Sequence, residues 1–119
     1  MEKSQNPKPY NLGERTKKFA KRTRDYVRAL PKDIAGIEDG KQLVKASGSV
    51  GANYLEAEEA LSKKDFIMRI KISRKETKES IYWLDLTEPK ESGVEEKYAL
   101  IQEATELMRI FGSIVTKSI

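Results

Sequence analysis

The sequence predicts an all-α fold, an antiparallel up-down-up-down four-helix bundle, on three observations. Apolar residues recur at steps of three and four in four separate segments, the period of an amphipathic helix. No stretch of strand length alternates apolar with polar residues, so a sheet has no sequence support. Prolines and polar clusters cut the chain into pieces of similar length. Rods of roughly 20–26 residues, about 30–39 Å long at 1.5 Å per residue, pack most simply as antiparallel neighbours when their connections are short.

Residues 1–9, MEKSQNPKP, are polar with two prolines and read as a disordered or extended lead-in; residues 10–119 form the bundle domain. Asn11 opens the first helix as a cap, with Glu14 three residues on in a capping-box arrangement. Leu12, Phe19, Tyr26, Val27 and Leu30, with Thr16 and Thr23 between them, make its buried face. Pro31 ends it, because the residue before proline resists the α region. Residues 31–39 connect to a second helix over about 40–60, with Asp39 and Gln42 at its start. The third helix begins at Ser62, carries Phe66, Ile70, Ser73, Thr77, Ile81 and Leu84 on one face, and stops before Pro89. Ser92 and Glu95 form a full capping box for the fourth, whose buried face reads as Tyr98, Ile101, Met108, Phe111 and Val115, flanked by Leu107 and Ile114.

Within the second helix, residues 46–52 read ASGSVGA, all small or β-branched, with two glycines. A phosphate-binding loop would need a strand before it and a Lys after its last glycine; this stretch has neither. Read as helix, Leu43, Val44, Val50, Tyr54, Leu55 and Leu61 carry the apolar pattern through it, and Gly48–Ala52 and Ser47–Gly51 align at steps of four. Two mid-helix glycines cost roughly 2 kcal/mol against alanine, a cost that close backbone approach to a neighbouring helix offsets. That neighbour lies in the same chain or in another subunit.

Composition narrows the chemistry. The 119 residues include no cysteine and no histidine. Disulfides, thiol catalysis and thiolate metal sites are therefore excluded, as are zinc triads, Ser-His couples and the Glu-x-x-His pairs of di-iron bundles. No metal site, no cofactor and no enzymatic activity is expected. No apolar run reaches membrane length and no secretion signal is evident, so a cytoplasmic protein without membrane contact is expected. Glu76 and Glu79, with Glu56, admit a carboxylate cluster, but interleaved Lys75 and Lys78 favour ion pairing and solvation. Ser49, Asn53 and Glu56 share one face of the second helix, which reads either as an exposed polar stripe or, with Glu79, as a candidate structural polar network inside the bundle. A buried carboxylate there would need a cationic partner, with Arg15 and Arg74 as candidates.

Charge gives the functional lead. Residues 1–35 hold ten Lys and Arg against four Asp and Glu, whereas residues 36–119 hold thirteen against fifteen. On the first helix Lys17, Lys21, Arg24 and Arg28 are spaced four, three and four, which keeps them within about 60° of arc. Arg15, Lys18 and Arg22 fan out beside them. These seven are the candidate nucleic-acid-binding residues, since a cationic strip on a rigid rod suits a phosphate backbone of RNA or DNA. The strip lacks stacking aromatics, so backbone contact without sequence preference is expected. A solvated, functionally silent helix face is the competing reading. Tyr82 and Trp83 read as core or subunit-contact residues, the latter an anchor for self-association.

The run SGSVGANYLEAEEALSKKDFIMRIKISRKETKESIYWL resembles the small four-helix-bundle proteins first noticed in intervening sequences of bacterial 23S ribosomal RNA genes. Ser49, Asn53, Glu56, Lys64, Asp65, Phe66, Glu76, Glu79, Ser80, Trp83 and Leu84 carry the match, and Arg15 with Phe19 and Ala20 resembles the family's first-helix signature. The resemblance spans about residues 10–117. It implies an up-down bundle, assembly as a homo-oligomer in a five-membered ring, and no established catalytic residue. It also brings in a related branch, accessory proteins of the reverse transcriptases of diversity-generating retroelements, and with it a protein partner as the alternative to nucleic acid.

Overall fold

The computed structural model describes residues 11–119; the lead-in of residues 1–9 lies outside that range. Four helices follow in order: α1 (Leu12–Arg28), α2 (Ile34–Glu58), α3 (Lys63–Leu86) and α4 (Val94–Ser118), the last entered through a single 3-10 turn, Glu91–Gly93. No strand occurs among the described residues.

Contacts between neighbours fix the topology. Val27 and Thr16 of α1 lie against Gly40 and Gly51 of α2, so residue numbers rise on one helix as they fall on the other. Ser73 Oγ donates to the carbonyl of Val50 at 3.0 Å and Arg69 reaches Asn53, which makes α2 and α3 antiparallel. Arg74 lies beside Gly112 while Lys97 Nζ donates to the carbonyls of Asp85 and Thr87, so α3 and α4 are antiparallel too. Arg15 pairs with Glu103 and Arg22 with Glu96, closing α4 onto α1. The bundle is up-down-up-down, as the periodicity and short connections predict.

The core is built from one stripe per helix. Leu12, Phe19 and Tyr26 of α1 meet Leu43 and Val50 of α2, Ile70 and Leu84 of α3, and Leu100, Leu107 and Phe111 of α4. Each of these side chains is worth about 1.5–3 kcal/mol on full burial. Near the end of α1 the Tyr26 hydroxyl donates to Thr87 Oγ1 at 2.7 Å, since the Thr87 hydroxyl is already spent on the carbonyl of Leu84. That bond pins the α3–α4 connection to α1.

Residues 46–52 are helical and closely packed. A Cβ on Gly51 would stand 2.8 Å from Thr16 Oγ1, and one on Gly40 would stand 2.9 Å from Val27 Cγ1. The small-residue seam is therefore the seat of α1, within the same chain.

Several boundaries and faces differ from expectation. α2 starts at Ile34, capped by Asp33 Oδ1, which accepts from the Gly36 amide at 2.7 Å; Asp39 lies inside the helix. Two glycines, at 36 and 40, give residues 34–40 poor helix propensity, yet packing against α1 holds them helical. α1 ends at Arg28 rather than beside Pro31, although Leu30 is still buried. Leu55 and Leu61, read as part of the buried pattern of α2, are exposed, Leu61 almost fully at 99%. Ser92 does not cap α4: it sits in the 3-10 turn, and Gly93 precedes the helix without a side-chain cap. The buried face of α4 is Leu100, Ala104, Leu107, Phe111 and Val115. Tyr98 is 60% exposed and Met108 only half-buried, so the stripe is turned by one residue toward its start.

Candidate nucleic-acid interface

The orientation of α1 sorts its cations. Leu12, Thr16, Phe19, Thr23 and Tyr26 are buried, and at about 100° per residue this turns Lys17, Lys21 and Arg28 directly outward. Lys17, Lys18 and Lys21 are exposed and make no ion pair with any described residue. Arg28 is exposed and pairs with Asp25, its neighbour one turn back, at 2.7 Å. Arg24 is half-buried; its guanidinium donates to the Ala20 carbonyl at 3.3 Å and lies across Gly48 of α2.

Arg15 and Arg22 are engaged elsewhere. Arg15 Nε and Nη2 donate to both carboxylate oxygens of Glu103, at 2.8 and 2.9 Å, and Nη2 also donates to Glu106 at 2.8 Å. Arg22 makes the same forked contact with Glu96, both bonds at 3.0 Å. Hydrogen bonding to Glu103 outweighs desolvation and raises the pKa of Arg15, as Glu96 does for Arg22. Both guanidiniums hold α1 to α4. Glu96 and Glu103 are seven residues apart, as are Arg15 and Arg22. Matching seven-residue steps of opposite charge on two antiparallel helices are the signal that sequence reading passed over.

Beside the outward row, α1 and α2 enclose a shallow groove of about 540 Å³. Its floor is the small-residue seam, Ala20, Gly48, Gly51 and Ala52, and Lys17 and Arg24 stand at its edge. On the α2 side Lys41 is exposed, stands beside Val27 and Arg28 of α1, and pairs with Glu38 at 3.3 Å. Cations thus border the α1–α2 seam from both helices.

The candidate polar network is only partly joined. Asn53 Nδ2 donates to the Ser49 carbonyl at 2.9 Å, and Asn53 Oδ1 accepts from Arg69 at 3.1 Å. Arg69, rather than Arg15 or Arg74, supplies the cation. The Ser49 hydroxyl donates to the Lys45 carbonyl of its own helix. Glu56 and Glu79 are exposed and hydrogen-bond to neither. Ser49 and Glu79 instead line a small polar cleft between α2 and α3 with Gln42, Lys45 and Glu76. Among the described residues no cluster of three or more acidic side chains is arranged to hold a metal ion, and no helix is long and apolar enough to cross a membrane.

The fold meets an independent comparison. The family model for the 23S rRNA-intervening sequence protein matches residues 10–113, all of α1 to α3 and most of α4. The chain belongs to this family. Comparison with curated proteins finds no match. Among solved structures the chain is similar to a protein of unknown function from the S23 ribosomal protein family of Bacteroides thetaiotaomicron, with 28% identity and a TM-score of 0.76 over 87% of this chain and 96% of that one. The 23S rRNA-intervening sequence protein family thus supplies a scaffold, and the polar groups on this member's surface carry the functional argument.

Proposed function

We propose that this member of the 23S rRNA-intervening sequence protein family is a non-enzymatic protein that binds the backbone of RNA or DNA through the outward face of α1, acting as an oligomer. The observation that carries the reading is the division of labour among the α1 cations. Arg15 and Arg22 are tied to α4, whereas Lys17, Lys18 and Lys21 stand in solvent, with Arg24 and Arg28 continuing the row along the helix. Like charges at steps of three and four repel by a few tenths of a kcal/mol per pair, so a row in which Lys17, Lys18 and Lys21 make no ion pair with any described residue carries a small standing cost that a polyanion relieves. Lys41, on the α2 side of the same seam beside Arg28, adds to the positive strip.

Binding of this kind releases counterions, so affinity falls with salt by a slope of about 0.9 per phosphate contacted on duplex. The test is fluorescence anisotropy with labelled RNA and DNA fragments of mixed sequence across a salt series. The reading expects binding at low salt, a steep salt slope, little sequence preference, and loss of binding when Lys17, Lys21, Arg24 and Arg28 are changed to Glu. No binding at low salt, or binding that survives the fourfold change, overturns it. The alternative, an accessory subunit that docks a protein, draws on the exposed apolar residues Tyr98 and Val94 of α4. Co-purification of a partner that survives nuclease treatment would favour it.

A further inference from the structure

α3 carries a second periodic stripe besides the one it buries. Ile70, Ser73, Thr77, Ser80 and Leu84 point into the bundle. On the other side Met68, Ile72, Lys75, Glu79, Tyr82 and Leu86 follow at steps of four, three, four, three and four, the spacing of a coiled-coil seam. Met68, Tyr82 and Leu86 are 47%, 58% and 46% exposed; Lys75 and Glu79 are exposed and Ile72 is half-buried. Five turns of seam are therefore laid out on a face with no helix among the described residues against it.

The stripe is symmetric about its own middle. Met68 and Leu86 lie nine residues on either side of Thr77, Ile72 and Tyr82 five, Lys75 and Glu79 two. A two-fold contact joins every position to its mirror image. Two copies of α3 laid antiparallel, with the axis at the level of Thr77, set Lys75 against the partner's Glu79 twice. They also set Ile72 against the partner's Tyr82 and Met68 against the partner's Leu86. Parallel packing would instead face Lys75 with Lys75 and Glu79 with Glu79, so charge selects the antiparallel direction. On one flank Lys71, six residues before Thr77, lies within a turn of the partner's Asp85, eight residues after it, although the two are not mirror positions. Lys78 and Glu76, closest to the axis on opposite flanks, each approach their own copy, and these are the like-charge contacts that the central pairs must outweigh.

We propose that the outer face of α3 is a two-fold interface with a second copy of this chain. The partner is fixed by self-complementarity: one stripe supplies both halves of each charge pair and both halves of each apolar pair. The face lies on a different helix from the α1 row and leaves that row open on both copies. It also differs in kind from a ring contact, which joins two unlike faces, so a two-fold through α3 would join two such rings.

Light scattering and sedimentation at micromolar protein and low salt test the proposal through charge exchange. Lys75→Glu leaves only acids at the centre of the seam, and Glu79→Lys leaves only bases. Each variant alone is expected at half the wild-type mass. Their equimolar mixture is expected to recover the wild-type mass, because the acidic seam of one fits the basic seam of the other. The double variant K75E/E79K, which restores complementarity within one chain, is expected to keep the wild-type mass. A monomeric wild type, single variants of unchanged mass, or a mixture that stays at half mass each overturns the proposal. All four positions of the two pairs are exposed, and far-ultraviolet circular dichroism confirms that the variants remain helical.

Discussion

Thr16 and Thr23 occupy equivalent places on the buried face of α1, seven residues apart, yet their hydroxyls fare differently. Thr16 Oγ1 donates to the Leu12 carbonyl at 2.7 Å, whereas Thr23 Oγ1 is buried with no partner among the described residues. Other core hydroxyls, such as those of Thr77 and Ser80, bond to carbonyls one turn back. An unmatched buried hydroxyl costs about 1–3 kcal/mol, so Thr23→Val, which keeps the shape, should stabilise the protein by about 1 kcal/mol in urea denaturation. Glycine offers a matched contrast. Alanine at position 51 gains helix propensity of up to about 1 kcal/mol, but its Cβ would press on the buried Thr16, whose own Cβ would be only 3.2 Å away. Overpacking costs about 1–3 kcal/mol, so Gly51→Ala should destabilise by about 1 kcal/mol net. Gly13→Ala, with nothing within 4 Å of the new methyl, should be neutral or stabilising in the same assay. The sequence marks both glycines as small; only the position of Thr16 across the seam separates their signs.

At the scale of elements, the α2–α3 seam concentrates its polar groups in one cleft. Glu76 is half-buried there, and desolvation, followed by repulsion from Glu79, raises its pKa against the opposing pull of Lys75 and Lys45. A carboxyl with a folded pKa above its unfolded one binds its proton more tightly when folded. The stability it contributes is therefore present at acid pH and lost as pH rises through the folded value. Glu76→Gln removes this dependence. The variant should be more stable than the wild type near pH 7, and the gap should narrow as pH falls toward about 4, the ordinary range for Glu; urea midpoints along that series are the measurement. The four helices were legible because their apolar stripes are long and regular, and α1 was legible residue by residue because its core side chains are large. The buried face of α4 was not, because Ala104 gives little hydrophobic signal while Tyr98 and Met108 give a strong one without needing full burial. The start of α2 was hidden by Gly36 and Gly40, whose poor propensity is overridden by packing against α1 and by the Asp33 cap. At the candidate site the cationic strip on α1 was plain from spacing, but which cations are spoken for depends on the side of α4 that faces them.

For the whole molecule, that distinction separates holding the bundle closed from meeting a polyanion. Of the four seams, α1–α4 is bridged by forked ion pairs at two levels, Arg15 with Glu103 and Glu106 and Arg22 with Glu96. The Arg15–Glu103 pair is partly shielded, its side chains being 24% and 20% exposed, so it reaches about 1 kcal/mol or somewhat more, whereas Arg22 and Glu96 are more exposed and their pair is worth about 0.5 kcal/mol. Changing Arg15 and Arg22 together to Gln should lower stability by about 1.5 kcal/mol and leave most nucleic-acid affinity in place, provided binding is measured well below the unfolding temperature. Changing Lys17, Lys18 and Lys21 to Glu should do the reverse. The substitutions are at exposed positions, so stability should move by no more than about 0.5 kcal/mol per site, while the affinity and its salt slope collapse. Thermal melts and anisotropy titrations on the same two preparations read both quantities. If the arginine pair instead governs affinity and the lysines do not, the surface that meets the polyanion is not the outward face of α1. Should both sets reduce affinity equally, binding would follow net charge alone, and no face of the bundle would be a site.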